Sequence, residues 1–137
     1  MSETAKLKES LWNDVTTESS KRGYISTTRG KAKAKVEGIF RSEILLSIFR
    51  NNEKRMFKIY RRDFDQAIDV LESKGRVRQG EISNKDRRYV IGAMTIFVNN
   101  YFTYTDEMDS DGKNHPFLRW SAYGKENLLM RKRATHE

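Results

Sequence analysis

The arrangement of the whole chain depends on residues 61–92, which read RRDFDQAIDVLESKGRVRQGEISNKDRRYVIG. The first half predicts a helix, because its apolar residues recur with helical spacing and form one stripe: Phe64, Ala67, Ile68 and Leu71. Asp63 is the expected N-cap of this helix. Gly75 is expected to end it, because a glycine just past the last apolar turn readily takes the left-handed backbone conformation.

The second half of this stretch has a different pattern. Val77 and Ile82 lie in short segments with charged neighbours, whereas Gly80 and the SNKD sequence at 83–86 have turn chemistry. Residues 89–91, Tyr-Val-Ile, are of β-forming types. The second half therefore predicts two strands joined by a polar tip.

A helix that ends in Lys-Gly and leads into a two-stranded ribbon with a basic tip resembles the last helix and wing of winged helix-turn-helix DNA-binding domains. The resemblance is one of pattern and covers residues 38–92. It implies a small α+β, winged-helix-like domain with a β-hairpin wing and flanking helical segments. The expected organisation is an N-terminal helix and basic arm over 1–37, a core over 38–124 and a basic C-terminal tail over 125–137. Any helix-to-hairpin connection in an α+β domain would give a similar pattern.

The composition describes a basic chain, with a formal net charge of +8 over 137 residues, of which only 36% are apolar. Such a surplus favours polyanions, and nucleic acid is the commonest polyanion available to a small intracellular protein. An acidic protein partner or a membrane surface would also fit the charge. The chain has no cysteine, which excludes disulfides, thiolate zinc sites and cysteine nucleophiles.

The N-terminal residues include Glu3, Lys6, Lys8 and Glu9, charges that the apolar core of a secretory signal would not contain. No apolar run approaches the roughly twenty residues that are needed to cross a bilayer. We therefore expect a cytoplasmic protein with no membrane partner, in a bacterium or in the host cell of a phage or plasmid.

Two other segments have clear helical patterns. Residues 2–15 and 38–52 carry apolar stripes, formed by Leu7, Leu11 and Val15 in the first and by Phe40, Ile44, Leu45, Ile48 and Phe49 in the second. Ser2 is the expected cap of the first helix, and Asn51 and Asn52 are expected to end the second. Between the second helix and Arg61 there is little room for another helix with its loop, so a short strand over residues 57–60, or a single helical turn, fits better.

Residues 90–104 fit both a helical and a strand period, and the helix is favoured because it leaves no polar residue on its apolar side. Since winged-helix proteins often dimerise through a helix that follows the wing, the resemblance implies a homodimer. Residues 106–115 predict a polar turn, and a calcium loop is excluded because Leu118 lies where a bidentate glutamate is required. Phe117 and Trp120 are expected to return to the core in a strand or a short helix.

The residues from Lys21 to Lys35 include six basic side chains and no acidic one, which predicts a basic arm. Tyr24 and Ile25 are expected to anchor the arm as a short strand, and residues 27–35 would be free to follow a phosphate backbone. A solvated linker without a specific role is the alternative interpretation.

Basic residues in the arm, the wing and the segment between them are the predicted contacts to double-stranded DNA. These nucleic-acid-binding candidates are Arg29, Lys31, Lys33, Lys35, Lys58, Arg61, Arg62, Gln66, Arg76, Arg78, Lys85, Arg87 and Arg88. The exposed side of the helix after Arg61 carries four carboxylates, those of Asp63, Asp65, Asp69 and Glu72. We therefore expect it to be a poor reader of bases, and the specificity to be modest.

The sequence predicts a non-enzymatic DNA-binding protein of a regulatory or accessory kind, for example in transcription regulation, with no cofactor, metal or catalytic residue. One alternative is an adaptor or inhibitor of phage or plasmid type that binds a protein partner through its basic surface or through the acidic helix face. A metal-dependent nuclease that uses Asp65, Asp69 and Glu72 is a weaker alternative. The two histidines are His115, in a polar turn beside Pro116, and His136, near the end of the sequence, so neither an acid-base pair nor a metal cluster of histidines is expected.

Overall fold

The computed structural model describes residues 2–27 and 30–131, and these form an α+β fold. The four helices are α1 (Glu3–Arg22), α2 (Arg61–Lys74), α3 (Arg87–Thr95) and α4 (Gly124–Leu129). The six strands are β1 (Tyr24–Ser26), β2 (Lys33–Ile39), β3 (Glu43–Arg50), β4 (Glu53–Tyr60), β5 (Phe102–Met108) and β6 (Asn114–Trp120). Strands β1 to β4 form an antiparallel sheet in sequential order, and β5 pairs with β6 in a separate hairpin.

Helices α1 and α2 follow the predicted stripes. The hydroxyl of Ser2 accepts the amide N–H of Ala5 at 3.1 Å, so the predicted cap of α1 is confirmed, and the helix continues to Arg22. The four stripe residues of α2 are buried, and Gly75 ends it with φ at 82°. The predicted N-cap of α2 is wrong: Tyr60 takes that position, and Asp63, one turn into the helix, accepts the Tyr60 N–H at 2.8 Å.

The predicted helix over residues 38–52 is wrong, because this region forms the β3–β4 hairpin. Asn51 and Asn52 have φ of 53° and 64°, which are the backbone angles of the tightest hairpin turns, and asparagine tolerates them. Ile44 and Leu46 point into the core, whereas Leu45 lies on the opposite face with its strand partner Lys58. The near-continuous apolar run in β3 fits both a helical and a strand period, and it forms a strand because it pairs with β4. The predicted strand over residues 57–60 is confirmed as part of β4.

The predicted wing is also wrong. Val77 makes one isolated bridge with Leu118, residues Gln79–Glu81 form a short 3₁₀ turn, and residues 89–91 lie inside α3. Although this tripeptide is of β-forming types, its side chains are buried together with Met94 on the helix, and packing outweighs intrinsic preference. The α+β class is therefore confirmed, but a winged-helix arrangement is not.

Residues 90–104 contain both of the structures that their pattern allows. The first residues belong to helix α3, which ends at Thr95, and the last belong to strand β5, which begins at Phe102. Most apolar residues of this segment are buried in the protein's own core, so the surface predicted for dimerisation is not available. The polar turn is confirmed at the tip of the β5–β6 hairpin, where Gly112 has φ of 77°. Phe117 and Trp120 lie in strand β6, and a strand was one of the two structures predicted for them.

The helices cover one face of the four-stranded sheet. Helix α1 packs on β1 and β2, α2 packs on β4 and α1, and α3 packs on β1 and β4. Helix α3 approaches β1 so closely that a Cβ on Gly92 would lie 2.0 Å from the Ser26 carbonyl oxygen. Many side chains on the other face of this sheet, such as those of Lys33, Phe49 and Met56, are exposed, although Ser47 on that face is buried. No helix among the described residues is both long and apolar enough to span a lipid bilayer.

Candidate nucleic-acid interface

The open face of the four-stranded sheet, here called the outer sheet face, is formed by the residues that alternate with the core positions of each strand. It consists of Tyr24, Lys33, Lys35, Glu37, Glu43, Leu45, Ser47, Phe49, Lys54, Met56, Lys58 and Tyr60, with Phe40 just beyond β2. The Phe40 ring lies on this face because it covers Gly38, where a Cβ would come within 3.0 Å of the ring.

Large apolar side chains on the outer sheet face remain accessible. Phe40 is 55% exposed, Phe49 is 74% exposed and Met56 is 47% exposed. Most large apolar side chains of a folded domain are buried, so a group of exposed ones on one face indicates a binding surface. The sequence reasoning missed Phe40 and Phe49 because it placed both in the core of a helix. No local signal identified them, because the apolar run that contains Phe49 fits both a helical and a strand period.

Lysines surround these apolar side chains. Lys33 lies 4.6 Å from the centre of the Tyr24 ring, while Lys54 and Lys58 form ion pairs with Glu37 at 3.1 Å and Glu43 at 2.7 Å. Hydrogen bonds from Ser47 and then from Lys54 hold the pKa of Glu37 below its usual value, and the Glu43 hydrogen bond raises the pKa of Lys58. Four lysines against two glutamates leave the face positive, and exposed pairs of this kind are weak enough to exchange with phosphates.

A groove of about 600 Å³ continues the outer sheet face beyond β4. Leu45, Met56, Lys58 and Tyr60 line one side, and residues 83–86 line the other. Arg62 also lines the groove, with its guanidinium 4.1 Å from the centre of the Tyr60 ring. The groove thus adds two cations to the face, Arg62 and Lys85, together with the carboxylates of Asp63 and Asp86.

The loop formed by residues 83–86 is held in place by side-chain hydrogen bonds on both sides. Gln66, one of the predicted DNA contacts, donates to the Ser83 hydroxyl and accepts the Ser83 N–H, both at 2.9 Å, and so holds this loop. The Asn84 amide donates to the Lys58 carbonyl at 3.2 Å and to Asp63 at 2.9 Å. Arg55 donates to Asp86 at 2.6 Å. These hydrogen bonds fix the loop, which forms one side of the groove and places Lys85 at its edge.

On the other side of this loop lies a second depression of about 350 Å³, here called the basic cleft. It is formed by the 3₁₀ turn, the start of α3 and the β5–β6 hairpin, and its lining residues are Arg78, Gln79, Gly80, Lys85, Arg87, Arg88, Ile91, Tyr104, His115 and Pro116. Lys85 lines both the groove and the basic cleft. The cleft and the outer sheet face thus share one border.

Arg76, another predicted contact, is bound within the protein. Its guanidinium donates to Glu107 at 3.0 Å and to the Met108 carbonyl at 3.1 Å, and it lies 3.9 Å from the centre of the Phe117 ring. Hydrogen bonds, first from Arg119, lower the pKa of Glu107 to about 2. This arginine stabilises the hairpin and is not free to bind phosphate.

The other predicted contacts lie in several places. Lys33 and Lys35 belong to β2, so the free arm is wrong for the described residues, while the short strand at Tyr24 is confirmed. Arg29 lies outside the described residues, and Lys31 is exposed in the turn before β2. Arg61 begins α2 and acts electrostatically on Asp65, whose pKa burial raises above its usual value.

The acidic side of α2 is largely neutralised by the protein itself. Asp69 pairs with Lys8 at 2.9 Å, and Glu72 pairs with Lys125 at 2.7 Å and accepts the Trp120 indole N–H at 3.1 Å. Asp69 and Glu72, two of the carboxylates that the sequence alternatives use, are thus each paired with a lysine of the protein itself. The cluster of Asp109, Asp111 and His115 is similarly engaged, since each aspartate binds a basic side chain of the protein.

Neither a protein-family model nor a curated protein nor a solved structure matches this chain in the comparisons with known proteins. The functional argument therefore depends on the chemistry of the outer sheet face, the groove and the basic cleft.

Proposed function

We propose that this protein is a non-enzymatic nucleic-acid-binding protein of a regulatory or accessory kind, which holds a single strand on its outer sheet face. The observation that carries the proposal is the group of exposed apolar rings among lysines, with Phe40 55% and Phe49 74% exposed. Bases stack on aromatic rings whatever their sequence, and lysines neutralise the phosphates between them.

A single strand fits this surface better than the duplex that the sequence predicted. Rings on a sheet stack with bases only when the bases are unpaired, because a duplex already stacks them internally. The helix that was expected to approach a major groove is α2, which packs against α1 and β4 and carries carboxylates. The hairpin that was expected to contact the duplex is replaced by α3.

The experiment is a fluorescence-anisotropy titration of a labelled oligothymidylate and of a duplex of the same length, at low salt. We expect the single strand to bind at least about tenfold more tightly, since one stacked base contributes roughly 1–3 kcal/mol. Tighter binding of the duplex would contradict the single-strand proposal. Failure to bind either polymer would leave a protein partner as the occupant of the outer sheet face.

A further inference from the structure

Three cations of the basic cleft have no acidic partner among the described residues. Lys85, Arg87 and Arg88 occur in none of the ion pairs between these residues, and the Arg88 guanidinium lies over the Tyr89 ring at 5.2 Å from its centre. Arg78 and His115, by contrast, are bound to Asp109 and Asp111, each at 2.6 Å.

Like charges held side by side repel each other, so such a cluster is stabilised when an anion lies between them. Arg87 and Arg88 are fixed at the start of α3, and the hydrogen-bonded loop of residues 83–86 holds the backbone of Lys85. No carboxylate lines the basic cleft. The backbone that carries the three cations is therefore in place before any ligand binds, and only their side chains must be ordered on binding.

The charge and shape of the cleft distinguish among anions. A phosphodiester carries one negative charge, whereas a phosphate monoester carries close to two at neutral pH and offers three acceptor oxygens. Two arginines and a lysine carry three positive charges, which a monoester neutralises more fully than a diester does, and they offer donors to its three oxygens. Ile91, Tyr104 and Pro116 give the cleft an apolar wall, and its volume of about 350 Å³ lies within the range of small-molecule sites.

We propose that the basic cleft binds a phosphate monoester with Lys85, Arg87 and Arg88, and that this group is the phosphorylated end of the strand on the outer sheet face. The second part rests on the proposed function. Lys85 supports it, because this residue borders both the cleft and the groove that continues the outer sheet face. Tyr104 is placed to contact the base or sugar of the terminal nucleotide.

The test compares three internally labelled oligothymidylates that carry a 5′-phosphate, a 3′-phosphate or no terminal phosphate. We expect one phosphorylated end to improve the affinity about tenfold, because each hydrogen bond to a charged group contributes substantially. The Arg87→Gln/Arg88→Gln variant is expected to bind all three oligonucleotides alike. The Lys6→Gln/Lys21→Gln variant removes two cations from the exposed side of α1 and is expected to keep the preference.

Thymidine 5′-monophosphate, with thymidine as its control, separates a strand end from a free nucleotide. If the three oligonucleotides bind equally and the mononucleotide does not bind, the proposal is overturned while the single-strand function stands. The mononucleotide could bind to the wild type but not to the Arg87→Gln/Arg88→Gln variant, while the three oligonucleotides bind equally. That result would support the monoester site and overturn its assignment to a strand end. If no oligonucleotide binds, the proposed function fails, and the mononucleotide titration decides on the cleft separately.

Discussion

Replacing Phe40 and Phe49 together by alanine is expected to weaken the binding of single-stranded oligothymidylate by roughly 30-fold or more. The estimate takes about 1 kcal/mol or more for each base that loses a stacking partner. Both rings are more than half exposed, so their removal takes little apolar area out of the core. The fold is therefore expected to persist, and a fluorescence-anisotropy titration measures the loss of affinity.

The control for this experiment is Tyr123→Ala. Tyr123 is 70% exposed, like the two phenylalanines, but it lies at the start of α4 and outside the four-stranded sheet. This variant is expected to bind as the wild type does. If the Phe40→Ala/Phe49→Ala variant also kept the wild-type affinity, with its circular dichroism spectrum unchanged, stacking on the outer sheet face would be excluded.

Raising the salt concentration from 50 to 200 mM is expected to weaken the binding of an oligothymidylate with a phosphate at each end about 100-fold. Five basic residues lie on the outer sheet face or in the basic cleft without an acidic partner among the described residues: Lys33, Lys35, Lys85, Arg87 and Arg88. At a slope of about −0.7 per neutralised phosphate, they predict a slope of roughly −3.5 in a plot of log affinity against log salt.

The Lys33→Gln/Lys35→Gln variant separates a local from a general effect of charge. It is expected to make the slope shallower by about 1.4, because two phosphate contacts are lost. The matched Lys6→Gln/Lys21→Gln variant lowers the net charge equally but changes α1, which packs on the opposite face of the sheet. An equal change of slope in both variants would mean that net charge alone determines the binding.

The sequence alone was sufficient to predict the helices whose signals lie close together in the chain. In α1 and α2, apolar spacing agrees with a cap or a terminating glycine, so the pattern has one interpretation. Strand β4 could also be predicted, because the space before Arg61 excludes another helix. Each of these elements is specified by residues that are close together in the chain.

The errors have the opposite origin, since they concern elements that are decided by distant contacts. Leu45 and Phe49 fit a helix until the β3 segment pairs with β4, after which the same residues form an open face. Tyr89 fits a strand until it packs beside Phe57, at 5.0 Å between ring centres. The prediction of a basic surface did not depend on these elements, but the exposed rings could be identified only once the sheet was known.

The most direct measurement is an NMR titration of the ¹⁵N-labelled protein with oligothymidylate, following every assigned backbone amide. The account predicts that chemical-shift changes concentrate in β2, β3, β4 and the loop of residues 83–86, while the amides of α1 and α4 stay unchanged. Changes confined to α1 and α4, with the sheet amides unmoved, would contradict it.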